Sequence, residues 1–178
     1  MNDKATLRRM LLAERAILNK ETRTHWDDAI CKGIMTWWQR RPSKTIGVYW
    51  PIRGEPDLHL VYRDLALRGV QLALPMVSDK DGPLRFLAWQ PGDPLTKDAM
   101  GVSIPANITP IVKPDVLLIP CVGFNAAGFR LGYGGGFYDR TLSEPNRPFT
   151  IGIAYSFGRV DFDNETHDIA LDMILTEE

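Results

Sequence analysis

Thr45-Ile-Gly-Val-Tyr-Trp50 is a short β-rich run, and one helix-length interval later comes a second, Val70-Gln-Leu-Ala-Leu-Pro-Met-Val77. Between them Asp57 stands where a helix would be capped and Gly69 where it would end, so the spacing predicts strand, helix, strand. That order is the unit of a parallel sheet, because parallel neighbours need a crossover long enough to hold a helix. Further strand candidates are residues 84–89 (LRFLAW), 115–124 (DVLLIPCVGF), 149–155 (FTIGIAY) and 172–176 (DMILT). The expected fold class is α/β: a mostly parallel sheet flanked by helices, in a single domain over residues 1–178.

Upstream of the first strand the pattern is helical. Lys4 to about Lys20 carries Leu7, Met10, Leu11, Ile17 and Leu18 at three- and four-residue spacings, interrupted by Glu14. A second helix is predicted to start at Thr24 as N-cap, with Asp27 and Asp28 in its first turn. It would bury Trp26, Ile30, Ile34 and Trp37 and stop before Pro42. These two make an N-terminal helical pair. The segment from Gly92 to Pro114, rich in proline and polar residues, reads as a long surface connection.

An apolar share of 44% and a charged share of 24% allow a sizeable core, and the formal net charge is only −1. Nucleic acid and anionic membranes normally ask for a clear excess of Lys and Arg, so neither is expected as a partner. No run approaches the roughly 18 apolar residues of a membrane span, and the N-terminus is unlike a secretory leader. A cytoplasmic monomer acting on small molecules is the expectation. Cys31 and Cys121 lack metal-ligand spacing and read as buried thiols. His25, His59 and His167 share no spacing that would mark a metal site or a nucleophile's base.

The chemistry concentrates in Asn125-Ala-Ala-Gly-Phe-Arg-Leu-Gly-Tyr-Gly-Gly-Gly-Phe-Tyr-Asp-Arg140, which follows the most apolar strand. Gly132, Gly134, Gly135 and Gly136 expose backbone N–H groups and tolerate positive φ, as a loop wrapped around an anion requires. Neither common phosphate fingerprint is present, and a tight turn would account for the glycines equally well. Arg130 and Arg140 supply charge neutralisation and Asp139 a possible Mg²⁺ ligand. On the first helix, Lys4, Arg8 and Arg15 fall within an arc of about 40°, a basic strip that is either a solvated face or the rim of a cleft. After the first strand, Trp50 offers a ring for stacking and Glu55 a carboxylate for a heterocycle's N–H groups. Core packing and a helix-start acid are the plain alternatives for these two. Asp168 reads as a turn residue.

Arg130-Leu-Gly-Tyr-Gly-Gly-Gly-Phe-Tyr-Asp-Arg140, with Lys4-x-x-x-Arg8, the turn ending in Glu55 and Asp168-x-x-x-Asp172-x-Ile-Leu, resembles the 5-formyltetrahydrofolate cyclo-ligase family. The likeness spans essentially the whole chain and is loosest over about 78–113. It implies ATP-dependent conversion of 5-formyltetrahydrofolate to 5,10-methenyltetrahydrofolate, with phosphorylation of the formyl oxygen, attack by N10, and release of ADP and phosphate. By the same resemblance ATP is bound by Lys4, Arg8, Arg130 and Gly132, then Tyr133, Gly134, Gly135 and Gly136, then Phe137, Tyr138, Asp139 and Arg140. Lys4, Arg130 and Arg140 assist the transfer. Trp50, Glu55, Tyr133, Gly134, Gly135, Gly136 and Phe137 contact the folate, and Asp139 and Asp168 hold Mg²⁺. Other readings are a phosphate-binding α/β enzyme of a different kind, which would not need ATP, and a non-catalytic folate-binding protein.

Overall fold

The computed structural model describes residues 3–107 and 109–178. Two helices open the chain, α1 (Lys4–Ala16) and α2 (Lys20–Arg40). Each has a side-chain cap: Asp3 accepts from the Thr6 N–H at 2.9 Å, and Asn19 accepts from the Thr22 N–H at 2.8 Å. α2 therefore begins a turn before the expected Thr24, because Asn19 caps first and nothing from Lys20 to Arg23 breaks the helix. Asp27 is consequently not a first-turn acid. It is buried, and the Tyr155 hydroxyl donates to it at 2.7 Å.

The helical face of α1 also differs from the expected one. Leu7, Leu11 and Arg15 are buried, whereas Met10 and Ile17 are 53% and 82% exposed. Glu14 lies on the exposed side and interrupts nothing.

The β-α-β unit is present as β1 (Thr45–Gly47), α3 (His59–Leu67) and β2 (Gln71–Met76), with β1 and β2 parallel. Asp57 assists the start of α3 from two residues before it, accepting from the His59 N–H at 3.0 Å, although Leu58 is the N-cap. Next come β3 (Arg85–Trp89), β4 (Leu95–Lys97), β5 (Ser103–Pro105) and β6 (Ile111–Val112). The chain continues through β7 (Val116–Pro120), β8 (Gly123–Phe124), β9 (Arg130–Leu131), α4 (Phe137–Leu142), β10 (Phe149–Ile153) and β11 (Met173–Leu175).

The main sheet runs β11-β10-β7-β1-β2-β3-β6, parallel from β11 to β2 and antiparallel across its last two pairs. Side chains of β7 alternate between its faces: Val116 and Leu118 join Ile30, Ile34 and Tyr62 under α2 and α3, while Leu117 and Ile119 join Leu142 and Leu171 on the other side. Leu7 and Leu11 of α1 pack on Val122, Leu131 and Phe162, which sets α1 over the β8–β9 hairpin.

The expected plain connection over 92–114 is instead a small hairpin, β4 with β5, followed by the edge strand β6; Ile108 lies outside the described residues. The hairpin tip is organised by Asp98, whose Oδ1 accepts from the Met100 and Val102 N–H groups at 2.9 Å each. Its Oδ2 accepts from the Val77 N–H at 3.0 Å, pinning the tip to the end of β2. No helix among the described residues is long and apolar enough to cross a membrane.

From β1 the chain moves to β2 on one side, and from β7 it moves to β10 and β11 on the other. The adjacent carboxyl ends of β1 and β7 are thus the switch point of the sheet, where connections leave in opposite directions and open a crevice.

Candidate active site

A cavity of about 300 Å³ occupies that crevice. The turn after β1 contributes Trp50, Ile52 and Glu55, and β7 with the segment after it contributes Pro120, Arg130, Tyr133, Gly134, Gly135, Gly136, Phe137 and Tyr138. The fold therefore brings the aromatic–acid turn and the glycine loop, far apart in sequence, onto one cavity. Met100, Gly101, Val102 and Ser103 from the β4–β5 tip close another side. These four were not legible as site residues, although Asp98 with Gly101 close behind it is a turn signal.

Trp50 is held by edge contacts to His59 and Trp89, with ring centroids at 4.5 and 6.1 Å, so it is a fixed wall of the cavity. Glu55 is only 5% exposed, with its Oε2 accepting from the Ile52 N–H at 3.0 Å and its Oε1 from the Tyr133 hydroxyl at 3.0 Å. Burial raises its pKa, against the opposing pull of those two hydrogen bonds and of Arg15 and Arg53. The Tyr133 hydroxyl is itself pushed up to about 12, by burial and then by the Glu55 charge, so it remains a donor.

The glycine loop is an open anion cradle. Gly134 and Gly136 have φ of +98° and +69°, a region that favours glycine. Among the described residues no acceptor pairs with the N–H groups from Gly134 to Asp139. Arg8 of α1 steadies the loop, its Nε donating to the Gly132 carbonyl at 2.6 Å. Arg140 stays beside Gly136 but is anchored elsewhere: Nε donates to the Gly82 carbonyl at 3.0 Å and Nη2 to that of Lys80 at 3.2 Å. Arg130 lies under the loop, stacked 5.0 Å from the Tyr138 ring and 3.9 Å from the Asp139 carboxylate.

Beyond the loop sits a charged shelf. Lys4 pairs with Asp168 at 2.7 Å and Glu165 at 3.0 Å. Burial tends to raise the Asp168 pKa, but the Glu165 N–H and Lys4 outweigh it and hold the carboxyl below its usual range. Asp139 Oδ1 accepts at 3.1 Å from the N–H of Ile169, the residue after Asp168, which ties the start of α4 to the segment that carries Asp168. Among the described residues no group of three or more His, Cys, Asp or Glu is arranged to hold a metal ion by itself.

Arg15 is the residue whose place the sequence hid. Expected on the same strip as Lys4 and Arg8, it is 2% exposed, with Nη2 donating to the Cys121 carbonyl at 2.9 Å and Nη1 3.4 Å from the Tyr133 hydroxyl. Cys31 and Cys121 are buried, with thiols pushed up by burial to about 11 and about 12, as inert thiols should be.

A chain that places a glycine loop and a buried glutamate on one cavity at a sheet switch point has close counterparts. The 5-formyltetrahydrofolate cyclo-ligase of Mycoplasma pneumoniae is 31% identical, with 99% of each chain covered. A solved 5,10-methenyltetrahydrofolate synthetase from Mycoplasma pneumoniae superposes with a TM-score of 0.84 at 30% identity, covering 99% of this chain and all of that one. The structure of the Aquifex aeolicus 5,10-methenyltetrahydrofolate synthetase gives 0.83 at 29% identity, over 98% of this chain and 90% of the other. The model of the 5-formyltetrahydrofolate cyclo-ligase family matches residues 1–177, taking in the α1 cations, the glycine loop and the Asp168 shelf alike, and the chain belongs to that family.

Proposed function

We propose that this protein uses ATP to convert 5-formyltetrahydrofolate to 5,10-methenyltetrahydrofolate. The observation that carries the reading is the shared lining of the cavity: a loop of unpaired N–H groups and a buried carboxylate face the same space, so a phosphate on one side would meet a heterocycle on the other.

The chemistry of the substrate explains why both are needed. A formamide carbon is a poor electrophile, and its oxygen cannot leave as oxide. Transfer of the γ-phosphoryl group to the formyl oxygen releases ADP and makes an iminium at N5; N10 then attacks the carbon and loses its proton to solvent, and the C–O bond breaks to release phosphate. In this scheme the protein orients and neutralises charge, and none of its side chains acts as a nucleophile. The loop N–H groups from Gly134 to Asp139, with Lys4, Arg8, Arg130 and Arg140, take the phosphate charge. Glu55 and the Trp50 wall orient the pterin, with Tyr133 and Phe137 beside them.

Mg²⁺ fits the Asp139 and Asp168 pair. Each aspartate has one carboxylate oxygen with only a long contact, Oδ2 of Asp139 at 3.9 Å from Arg130 and Oδ1 of Asp168 at 3.8 Å from His167. Two carboxylates with phosphate oxygens and waters are a usual Mg²⁺ environment. When bound, the ion would offset phosphate charge during transfer.

The test is incubation with 5-formyltetrahydrofolate and Mg-ATP, following methenyl formation by absorbance together with ADP release. One ADP per product is expected. Product formation without nucleotide would overturn the scheme.

A further inference from the structure

Arg15 is a buried guanidinium without a carboxylate in contact among the described residues. Its Nη2 is satisfied by the Cys121 carbonyl at 2.9 Å, its Nε has no partner, and its Nη1 reaches the Tyr133 hydroxyl at 3.4 Å. That hydroxyl donates to Glu55 Oε1 at 3.0 Å, so among the described residues the only negative charge the guanidinium approaches through hydrogen bonds is Glu55, one hydroxyl away. The arginine stem also supports the turn that carries Glu55: a Cβ added to Gly54 would stand 3.2 Å from Arg15 Cγ.

The Cys121 carbonyl satisfies one arm of the guanidinium. The second arm goes to a tyrosine that is 38% exposed and sits in the glycine loop, between Gly132 and Gly134. The neighbouring Gly132 carbonyl is taken by Arg8, so α1 grips the loop twice, directly at Gly132 and through Arg15 at Tyr133. Whatever settles the loop settles the Tyr133 hydroxyl, and with it the Glu55 carboxylate. The dependence runs equally in the other direction.

We propose that Arg15 is a positioning residue, and that the Arg15–Tyr133–Glu55 chain makes nucleotide and 5-formyltetrahydrofolate bind more tightly together than apart. This rests on the reading that the loop takes the ATP phosphates and Glu55 contacts the folate. Because binding coupling is reciprocal, each ligand tightens the other by the same factor.

The test is calorimetric titration of the full chain in Mg²⁺ with a non-hydrolysable ATP analogue, with and without 5-formyltetrahydrofolate, and then in the reverse order. A coupling factor of about fivefold or more is expected in the wild type. It should fall towards one in Tyr133→Phe, which keeps the ring, and in Arg15→Met, whose folding is checked by a thermal melt. The ratio is the readout, so a change in either affinity alone does not imitate the effect. A wild-type factor that persists in Tyr133→Phe overturns the proposal. A wild-type factor of one overturns it too, while tight binding of each ligand would leave the site reading standing; failure of the analogue to bind at all would remove both.

Discussion

Asp27 gives the fold a pH dependence that can be worked out and isolated. Its carboxyl is buried between α2 and the end of β10, and burial raises its pKa from the usual 3.8 to about 6 despite the hydrogen bond from Tyr155. The folded chain thus prefers the protonated acid. Its contribution is fully present below about pH 3.8, declines as the pH rises, and is lost once the pH passes about 6. The interval of about two pH units, at about 1.36 kcal/mol each, makes this loss about 3 kcal/mol. Asp27→Asn keeps the shape and an acceptor for the Tyr155 hydroxyl but does not titrate. Urea unfolding of both proteins, followed by tryptophan fluorescence from pH 4 to pH 8, takes advantage of Trp26, whose ring lies 5.4 Å from that of Tyr155. The stability of Asp27→Asn relative to the wild type should grow by about 2.5 kcal/mol between those limits, most of it between pH 4.5 and 6.5. Other carboxylates cancel in the difference. A difference that stays flat with pH would refute the claim that Asp27 is held protonated by burial.

Glu55→Gln should raise the KM for 5-formyltetrahydrofolate or lower turnover, while affinity for an ATP analogue without folate changes little; normal kinetics would return Glu55 to a structural role. Gly136→Ala, at φ +69° and with its new Cβ 2.8 Å from Arg140 Nη1, should cost about 1–2 kcal/mol in chemical unfolding and weaken analogue binding. Asp139→Asn and Asp168→Asn should each demand far more Mg²⁺ for turnover, and unchanged metal dependence in both would remove the proposed ion. Lys4→Ala should raise the ATP KM by about tenfold or more, from the loss of a charge-assisted contact, and a change in thermal stability alone would contradict that role.

The parallel strands themselves were legible because runs such as 70–77 and 115–120 are apolar and bounded by turn residues, as a strand buried on both faces must be. The small hairpin was not, because three-residue strands flanked by Pro94, Pro105 and Pro110 carry no periodicity, and the side chain of Asp98 does the organising. On α1 the apolar pattern favoured Met10 and Ile17 over the residue that is buried, Arg15, since a guanidinium is normally expected outside. Its burial depends on a carbonyl more than a hundred residues away and a loop tyrosine, and no local pattern announces either. The glycine loop and Glu55 stood out by composition and resemblance, but their facing each other across one cavity follows from the switch between β1 and β7, a property of strand order.

Charge balance explains an apparent conflict between two proposed roles. Lys4 is assigned to the nucleotide and Asp168 to the metal, yet they hold each other at 2.7 Å with Glu165 alongside. Burial works against the Lys4 charge, but Asp168 and Glu165 outweigh it and raise its pKa, so the ammonium and the Asp168 carboxylate are both ionised at neutral pH. The pair keeps the shelf near charge balance before ligands arrive. If Mg-ATP binds as proposed, phosphate would replace carboxylate around the ammonium, and Mg²⁺ would take over the balancing of the carboxylate charge. Each charge would then retain an opposite neighbour, and neither would be left bare in a partly buried site, where an unpaired ion is costly. On that reading, removing Lys4 would do more than delete a phosphate contact: it would leave Asp168 and Glu165 facing the polyphosphate without the cation that now pairs with both.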